Sequence, residues 1–267
     1  MRLSRAAAVV LRQLYLYRCS PSRVIPLFAW ATLDIVLWGF ITRYLDVVAP
    51  NGPAFVPMLL GAVLLWDFLT RAMQGVTTTF LEDVWSRNFL NVFATPLSIG
   101  EYVGGLVLTS VLTSAVGLVV MLVVAWAAFG MSLARYGMLA VPFVLVLFVF
   151  GIALGVLGAA IVLRLGPSAE WFVWPIPAIV SPFVGVFYPL ATLPAWMQAV
   201  GRALPASYVF EGMRSLLAGR PPSALTLGTG ATLALLDLVL AWLFFAWVHR
   251  LAVRTGLIAR YSAESVS

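Results

Sequence analysis

A single all-α domain of six membrane-spanning helices is expected of this 267-residue chain, and three observations carry that expectation. Hydrophobic residues make up 63% of it and charged residues only 10%, whereas a soluble domain is roughly half apolar and about a quarter charged. Several runs reach about 20 apolar residues, the length that crosses the hydrocarbon of a bilayer. The short alternating segments of a membrane β-barrel are absent.

The elements follow in order. Residues 1–20 read as an interfacial amphipathic helix. Leu3, Ala7, Val10, Leu14 and Tyr17 recur at three- and four-residue steps, and Arg5 and Arg12 fall off that stripe, placed to lie among headgroups. Pro21 and Ser22 break it. Spans are expected at about 24–43, 55–80, 102–129, 136–164, 171–189 and 231–250. The stretch from 190 to 230 is too apolar for a plain loop. Its two short helical patterns, separated by Pro205, fall short of a span and are expected to be re-entrant or to lie on the outer surface over 190–218.

Arginine sets the orientation. Arg2, Arg5, Arg12, Arg18, Arg23, Arg87, Arg164, Arg250, Arg254 and Arg260 fall on one side, and Arg43, Arg135, Arg202, Arg214 and Arg220 on the other. The richer side is cytoplasmic, so both termini are expected inside. No cleavage pattern precedes Ile25, so no removable signal peptide is expected. The net charge of +6 lies at span ends and suits anionic headgroups, not nucleic acid. Cys19 is the only cysteine, which excludes an internal disulfide.

All sixteen basic residues are Arg. A P-loop needs a Lys on its phosphates, so no ordinary nucleotide site is expected in this chain. The only histidine is His249, beside Arg250 at the inner end of the last span, and is read as an interface residue. No nucleophile elbow, zinc motif or Cys/His cluster occurs. No catalytic, metal or cofactor residue is therefore expected.

The clearest polar interruption is the first cytoplasmic loop, with its centre at 82–96. Glu82, Asp83 and Arg87 lead a short amphipathic helix whose Val84, Phe89, Leu90 and Phe93 can face the membrane or a partner, with Trp85 a further coupling candidate. Pro96 ends it, and Ser98 with Glu101 forms a capping box for the next helix. Such a loop points to a transporter driven by a separate soluble motor. Pathway or gate candidates follow from the spans. Asp34, Asp67 and Arg71 are charges inside spans, and Asp67 and Arg71, four apart, can pair as a structural bridge or mark a route. Asp237 reads as a polar contact between helices. Pro175, Pro177, Pro182 and Pro189 interrupt the fifth segment, as a kink or as a transport pathway. Phe187, Tyr188 and Trp196 are aromatics near it, suited to an interfacial belt or to an aromatic-lined route. Gly151, Gly155 and Ala159 form a small-residue stripe expected to pack within the chain.

This pattern resembles the membrane subunit of the ABC-2 type exporters, also called type V ABC transporters. The resemblance rests on the Arg-rich first helix, the six spans and the loop Trp85 to Gly100 (WSRNFLNVFATPLSIG). It rests further on Phe187, Tyr188 and Pro189, on Leu193 to Gln198 (LPAWMQ) and on Leu204 to Arg214 (LPASYVFEGMR). The family implies two copies of an ABC ATP-binding subunit that hold ATP and Mg, and a second permease subunit, giving a homodimer or pseudo-dimer in the cytoplasmic membrane of a bacterium or archaeon. The loop from Val84 to Thr95 would be the coupling helix, and Glu211 and Arg214 would sit on external helices that gate the outer end. The implied substrate is a lipid-linked glycan, lipid or other amphiphile; the alternatives are a drug-efflux permease of the same family, or a motor-free assembly factor or proton-coupled carrier.

Overall fold

The computed structural model describes residues 3–48, 56–86, 88, 91–92, 95–131, 138, 140–220 and 222–256. It is all-helical, with no strand among the described residues. Helices α1 (Leu3–Cys19) and α2 (Pro21–Val48) meet at Ser20. Pro21 suits the first turn of α2, where a missing N–H costs nothing. A π-helical turn, Val56–Leu60, leads into α3 (Gly61–Trp85). Helix α4 (Ile99–Phe129) starts at the Ser98–Glu101 capping box and stops at Gly130, whose φ of 64° favours a residue without a β-carbon. Helix α5 runs over Ala140–Leu165.

Among the described residues, four helices are long and apolar enough to cross a membrane: Met58–Trp85, Ile99–Phe129, Ala140–Leu165 and Ala224–Thr255. The last contains α10 (Ala224–Thr255), longer than the expected 231–250 at both ends. Helix α2 covers the expected first span and extends beyond it. The fifth expected span, 171–189, is not one helix. It is α6 (Glu170–Val173) and α7 (Ile176–Val184), interrupted at Trp174–Pro175 and ended by Gly185 at φ 64°. The prolines withdraw backbone donors there, and the left-handed glycine turns the chain away. Two short helices follow as expected, α8 (Ala195–Arg202) and α9 (Pro205–Leu217), with Pro205 opening the second.

Helix α5 is the centre of the packing, between α3 and α10, with α9 across its N-terminal end. In lipid the apolar effect does not drive helices together; close van der Waals contact does. The small residues of α5 supply it. A β-carbon on Gly151 would lie 2.7 Å from the Leu69 carbonyl, and one on Gly155 would lie 2.6 Å from that of Met73. Thr77 caps the seam by donating to Met73 O at 3.1 Å, with Gly155 O at 3.4 Å. Helix α4 joins on the other side of α3, where Ser110 Oγ donates to Ala72 O at 2.7 Å.

Helix α2 lies at the edge. It buries Ala31, Ile35, Gly39 and Thr42 against the bundle and leaves Trp30, Leu33, Leu37 and Tyr44 exposed. In helix α1 Arg5 and Arg12 pair with Glu101 and Asp83. Its buried face is Ala6, Val9 and Gln13, while Leu11, Leu14 and Tyr15 are exposed. It also runs alongside α4 in the same direction: Arg5 meets Glu101, and one turn on Val9 packs against Gly105. The leucines face outward because lipid is as apolar as a protein core.

Gly155→Val forces a side chain into a carbonyl and lowers stability by about 1–3 kcal/mol. Gly228 on α10 has nothing within 4 Å of its virtual β-carbon, and Gly228→Ala leaves stability unchanged or slightly raised. Thermal unfolding of the two variants in detergent, side by side, checks both outcomes.

Candidate functional site

The structure concentrates charge where α3 ends and α4 begins. Asp83, on the last turn of α3, is 2% exposed. A carboxylate so placed needs partners, and two other elements supply them. Arg12 of α1 reaches it at 2.6 Å, and the Tyr102 hydroxyl of α4 donates to Oδ2 at 2.8 Å. Burial acts to lower the Arg12 pKa, but the hydrogen bond and charge of Asp83, aided by Tyr102 and Glu82, outweigh it and hold the guanidinium above its ordinary value.

A second contact lies at the start of α4. Glu101 is 4% exposed and closes the capping box by accepting from Ser98 N at 3.0 Å. Arg5 Nη1 faces the same carboxylate at 3.4 Å and also donates to the Pro96 carbonyl. Helix α1 is therefore held to both flanks of the α3–α4 connection. Beneath it is a cavity of about 300 Å³ lined by Arg5, Ala8, Val9, Arg12, Val92, Thr95, Pro96, Leu97 and Tyr102. On the other side, Trp85 Nε1 donates to Glu170 Oε2 at 2.8 Å, joining the end of α3 to the start of the interrupted fifth segment.

The loop residues singled out in the sequence divide accordingly. Glu82 to Trp85 continue α3 rather than open a separate helix. Val84, expected to face the membrane or a partner, is 4% exposed and belongs to the core. Trp85 and Pro96 are exposed. Arg87, Phe89, Leu90 and Phe93 lie outside the described residues. The sequence reading missed Arg5, Arg12, Tyr102 and Glu170. The available signal was the seven-residue spacing of Arg5 and Arg12, which puts both on one face of α1.

A second cluster brings several gate candidates together beyond α7. Pro182 cannot donate to the carbonyl of Ala178, and Ser181 Oγ donates to it instead at 3.1 Å. Tyr188 Oη donates to Pro182 O at 2.8 Å. Arg214 of α9 donates to Gly185 O at 2.7 Å and Val186 O at 3.4 Å, while Glu211 Oε1 accepts from Leu190 N at 2.7 Å. Glu211 and Arg214 pair at 3.1 Å. Phe187, on the turn so held, stacks on Trp38 of α2 at 5.0 Å and 12°. Trp196 is exposed and meets Phe183 edge-on at 6.0 Å. The charges in the spans form a third group: Asp34, exposed on α2, is within electrostatic reach of Asp67 and Arg71 on α3.

A family model described as ABC-2 type transporter matches residues 15–218, a stretch that takes in the α3–α4 connection and the turn held by Arg214. No curated protein matches the chain.

Two outcomes follow from this geometry. Tyr102→Phe removes one of the two donors to a buried carboxylate and costs about 1–3 kcal/mol. Combining it with Asp83→Asn loses less than the sum of the two single losses, because the variants share one interaction; a double-mutant cycle by thermal unfolding measures this. Arg214→Ala frees the turn from Gly185 to Leu190. Amide hydrogen exchange there rises while the α3–α5 seam keeps its protection.

Proposed function

The chain belongs to the ABC-2 type transporter family, and from that premise we propose that it is the membrane-spanning permease subunit of an ATP-driven exporter. ATP and Mg are held by a separate ATP-binding subunit, present in two copies. Two permease copies make the transport unit, in the cytoplasmic membrane of a bacterium or archaeon with both termini inside. Helix α2 and the α6–α7 segment serve as spans one and five beside the four long helices. The cargo is a lipid-linked glycan, lipid or other amphiphile moved outward.

One observation carries the coupling part of this reading: the α3–α4 connection is anchored on both flanks. Asp83 binds the end of α3 to α1 and α4, and Trp85 reaches Glu170 at the start of the fifth segment. A motor subunit that pulls on residues 84–95 moves α1, α3 and α4 together. The indole–carboxylate bond passes that displacement to α6 and α7. Contact that differs between the ATP-bound and ATP-free motor is what shifts the equilibrium of the spans. The turn held by Glu211 and Arg214 closes the outer end of the route.

Affinity purification through a C-terminal tag, from native membranes in mild detergent, tests the reading. A stoichiometric ATP-binding subunit accompanies the chain and is lost when Arg87 and Phe89 are replaced together. A pure chain with no such subunit refutes the permease assignment. Trp85→Phe keeps the subunit bound but lowers the change in its ATPase rate that the permease produces. An unchanged rate response removes the Trp85–Glu170 bond from the coupling path.

A further inference from the structure

We propose that the cavity between α1 and the α3–α4 connection is a site for one anionic glycerophospholipid, whose phosphate meets Arg5 and Arg12 and whose acyl chain lies along Ala8, Leu11 and Tyr15. The site goes beyond the exporter reading and does not rest on it.

The cavity holds about 300 Å³ and is open rather than enclosed, at the lower end of the size of ligand pockets. Its walls are mostly apolar: Ala8 and Val9 come from α1, and Val92, Pro96 and Leu97 from the connection. Among the described residues its charged lining is two arginines and no acid. Apolar walls beside two guanidiniums suit an amphiphilic anion. The forked donors of arginine match phosphate oxygens in particular, and basic pockets at the ends of membrane helices are recognition sites for lipid phosphates.

The two ion pairs are lopsided, and their cationic ends are the open ones. Arg5 and Arg12 keep 35% and 31% of their side chains exposed, while the Glu101 and Asp83 side chains they pair with keep 5% and 3%. Both carboxylates are also tied into the protein, Glu101 by Ser98 N at 3.0 Å and Asp83 by the Tyr102 hydroxyl at 2.8 Å. A guanidinium carries five N–H donors. Arg5 donates through Nη1, to Pro96 O and Glu101, and Arg12 meets Asp83 through Nη2. Arg12 Nε has no hydrogen-bond partner among the described residues. After pairing with their acids, both arginines therefore retain donor capacity for a phosphate.

The direction of α1 decides for a lipid. Arg5 sits beside Glu101 in the first turn of α4, and Val9 packs on Gly105 one turn further on. Helix α4 is long and apolar enough to cross a membrane, so residues later in α1 lie deeper. Leu11 and Tyr15, three and seven residues beyond Ala8, continue its face of the helix and are 55% and 64% exposed. The order Arg5, Ala8, Leu11, Tyr15 thus passes from headgroup level into hydrocarbon. That is the order of a phospholipid's own groups, from phosphate to acyl chain. A soluble phosphate compound gains nothing from such a stripe. A zwitterionic headgroup finds no acid on the lining to receive its ammonium group.

The test uses the full chain with its bound subunits, freed of lipid in uncharged maltoside micelles, and native mass spectrometry. The probe is dioctanoyl phosphatidylglycerol. It is compared with dioctanoyl phosphatidylcholine and with glycerophosphoglycerol, which carries the same phosphate without chains. Expected are saturable binding of phosphatidylglycerol, about tenfold weaker binding to Arg5→Gln (about 1.4 kcal/mol), and retained binding to Arg5→Lys. Ala8→Trp fills the cavity and abolishes binding. Phosphatidylcholine binds more weakly, and glycerophosphoglycerol does not bind. Absent saturation in the unaltered chain, equal affinity in Arg5→Gln, full binding to Ala8→Trp or equal binding of phosphatidylcholine overturns the site. Equal binding of glycerophosphoglycerol overturns the lipid and makes a soluble phosphate the occupant. Ala8 is exposed and belongs to neither ion pair, so its variant is expected to fold even where Arg5→Gln loosens α1; an unchanged unfolding midpoint without lipid verifies that.

Discussion

A carboxylate with almost no access to water, at one end of a membrane bundle, dictates the arrangement around it. Asp83 is that group. Leaving it ionised and alone costs more than any nearby packing contact returns, so a cation and a hydroxyl must converge on it. The cation comes from α1 and the hydroxyl from α4, and three elements distant in sequence become one unit. Glu101, next to Tyr102 in the first turn of α4, repeats the device with Arg5 and the backbone of Ser98 as donors. The position of α1 follows from these two acids. Arg5 and Arg12 turn inward to meet them, and Leu11 and Leu14 face outward.

The interrupted fifth segment obeys the same requirement applied to the backbone. Irregular chain at membrane depth is tolerated only where its polar groups are satisfied by the protein or by a water-filled space. Ser181, Tyr188, Glu211 and Arg214 each supply a bond to a main-chain group that no regular helix serves. The arginine also neutralises the glutamate beside it. One ion pair thus keeps a non-helical turn in shape and presents Phe187 to Trp38.

Much of this was legible in the chain itself. The four long spans came from apolar length, the start of α4 from Ser98 and Glu101, and the break before α9 from Pro205. The glycine stripe of α5 packs within the chain against α3, as its spacing suggested. What failed has a common cause. Val84 was left to the membrane or a partner and Arg5 and Arg12 to the headgroups, whereas the structure buries the first and pairs the other two with Glu101 and Asp83. In a bilayer, apolar surface is accepted on both sides of a helix, so the polar residues reveal the inner face instead. The fifth segment was read as one span because its composition is apolar throughout; three prolines and Gly185 outweigh that composition. The bonds from Arg12 to Asp83 and from Trp85 to Glu170 join residues 71 and 85 positions apart, and no local periodicity encodes such a pairing.

The seam between α3 and α5 has a mechanical consequence. Its two helices touch through backbone, with Gly151 under the Leu69 carbonyl and Gly155 under that of Met73. Sliding α5 by a single residue would bring Ile152 or Leu154 beneath an oxygen that has no space for a methyl group. The pair therefore resists shear and behaves as a keyed joint, fixed in register like a shaft in its slot. Whatever motion the molecule undergoes must be borne by the parts clipped on around that joint. Those parts are α1 and the broken fifth segment, fastened by polar side chains, and α2, which rests on the bundle through Ile35, Gly39 and the Trp38–Phe187 stack. The bundle is a rigid stator with a hinged rim.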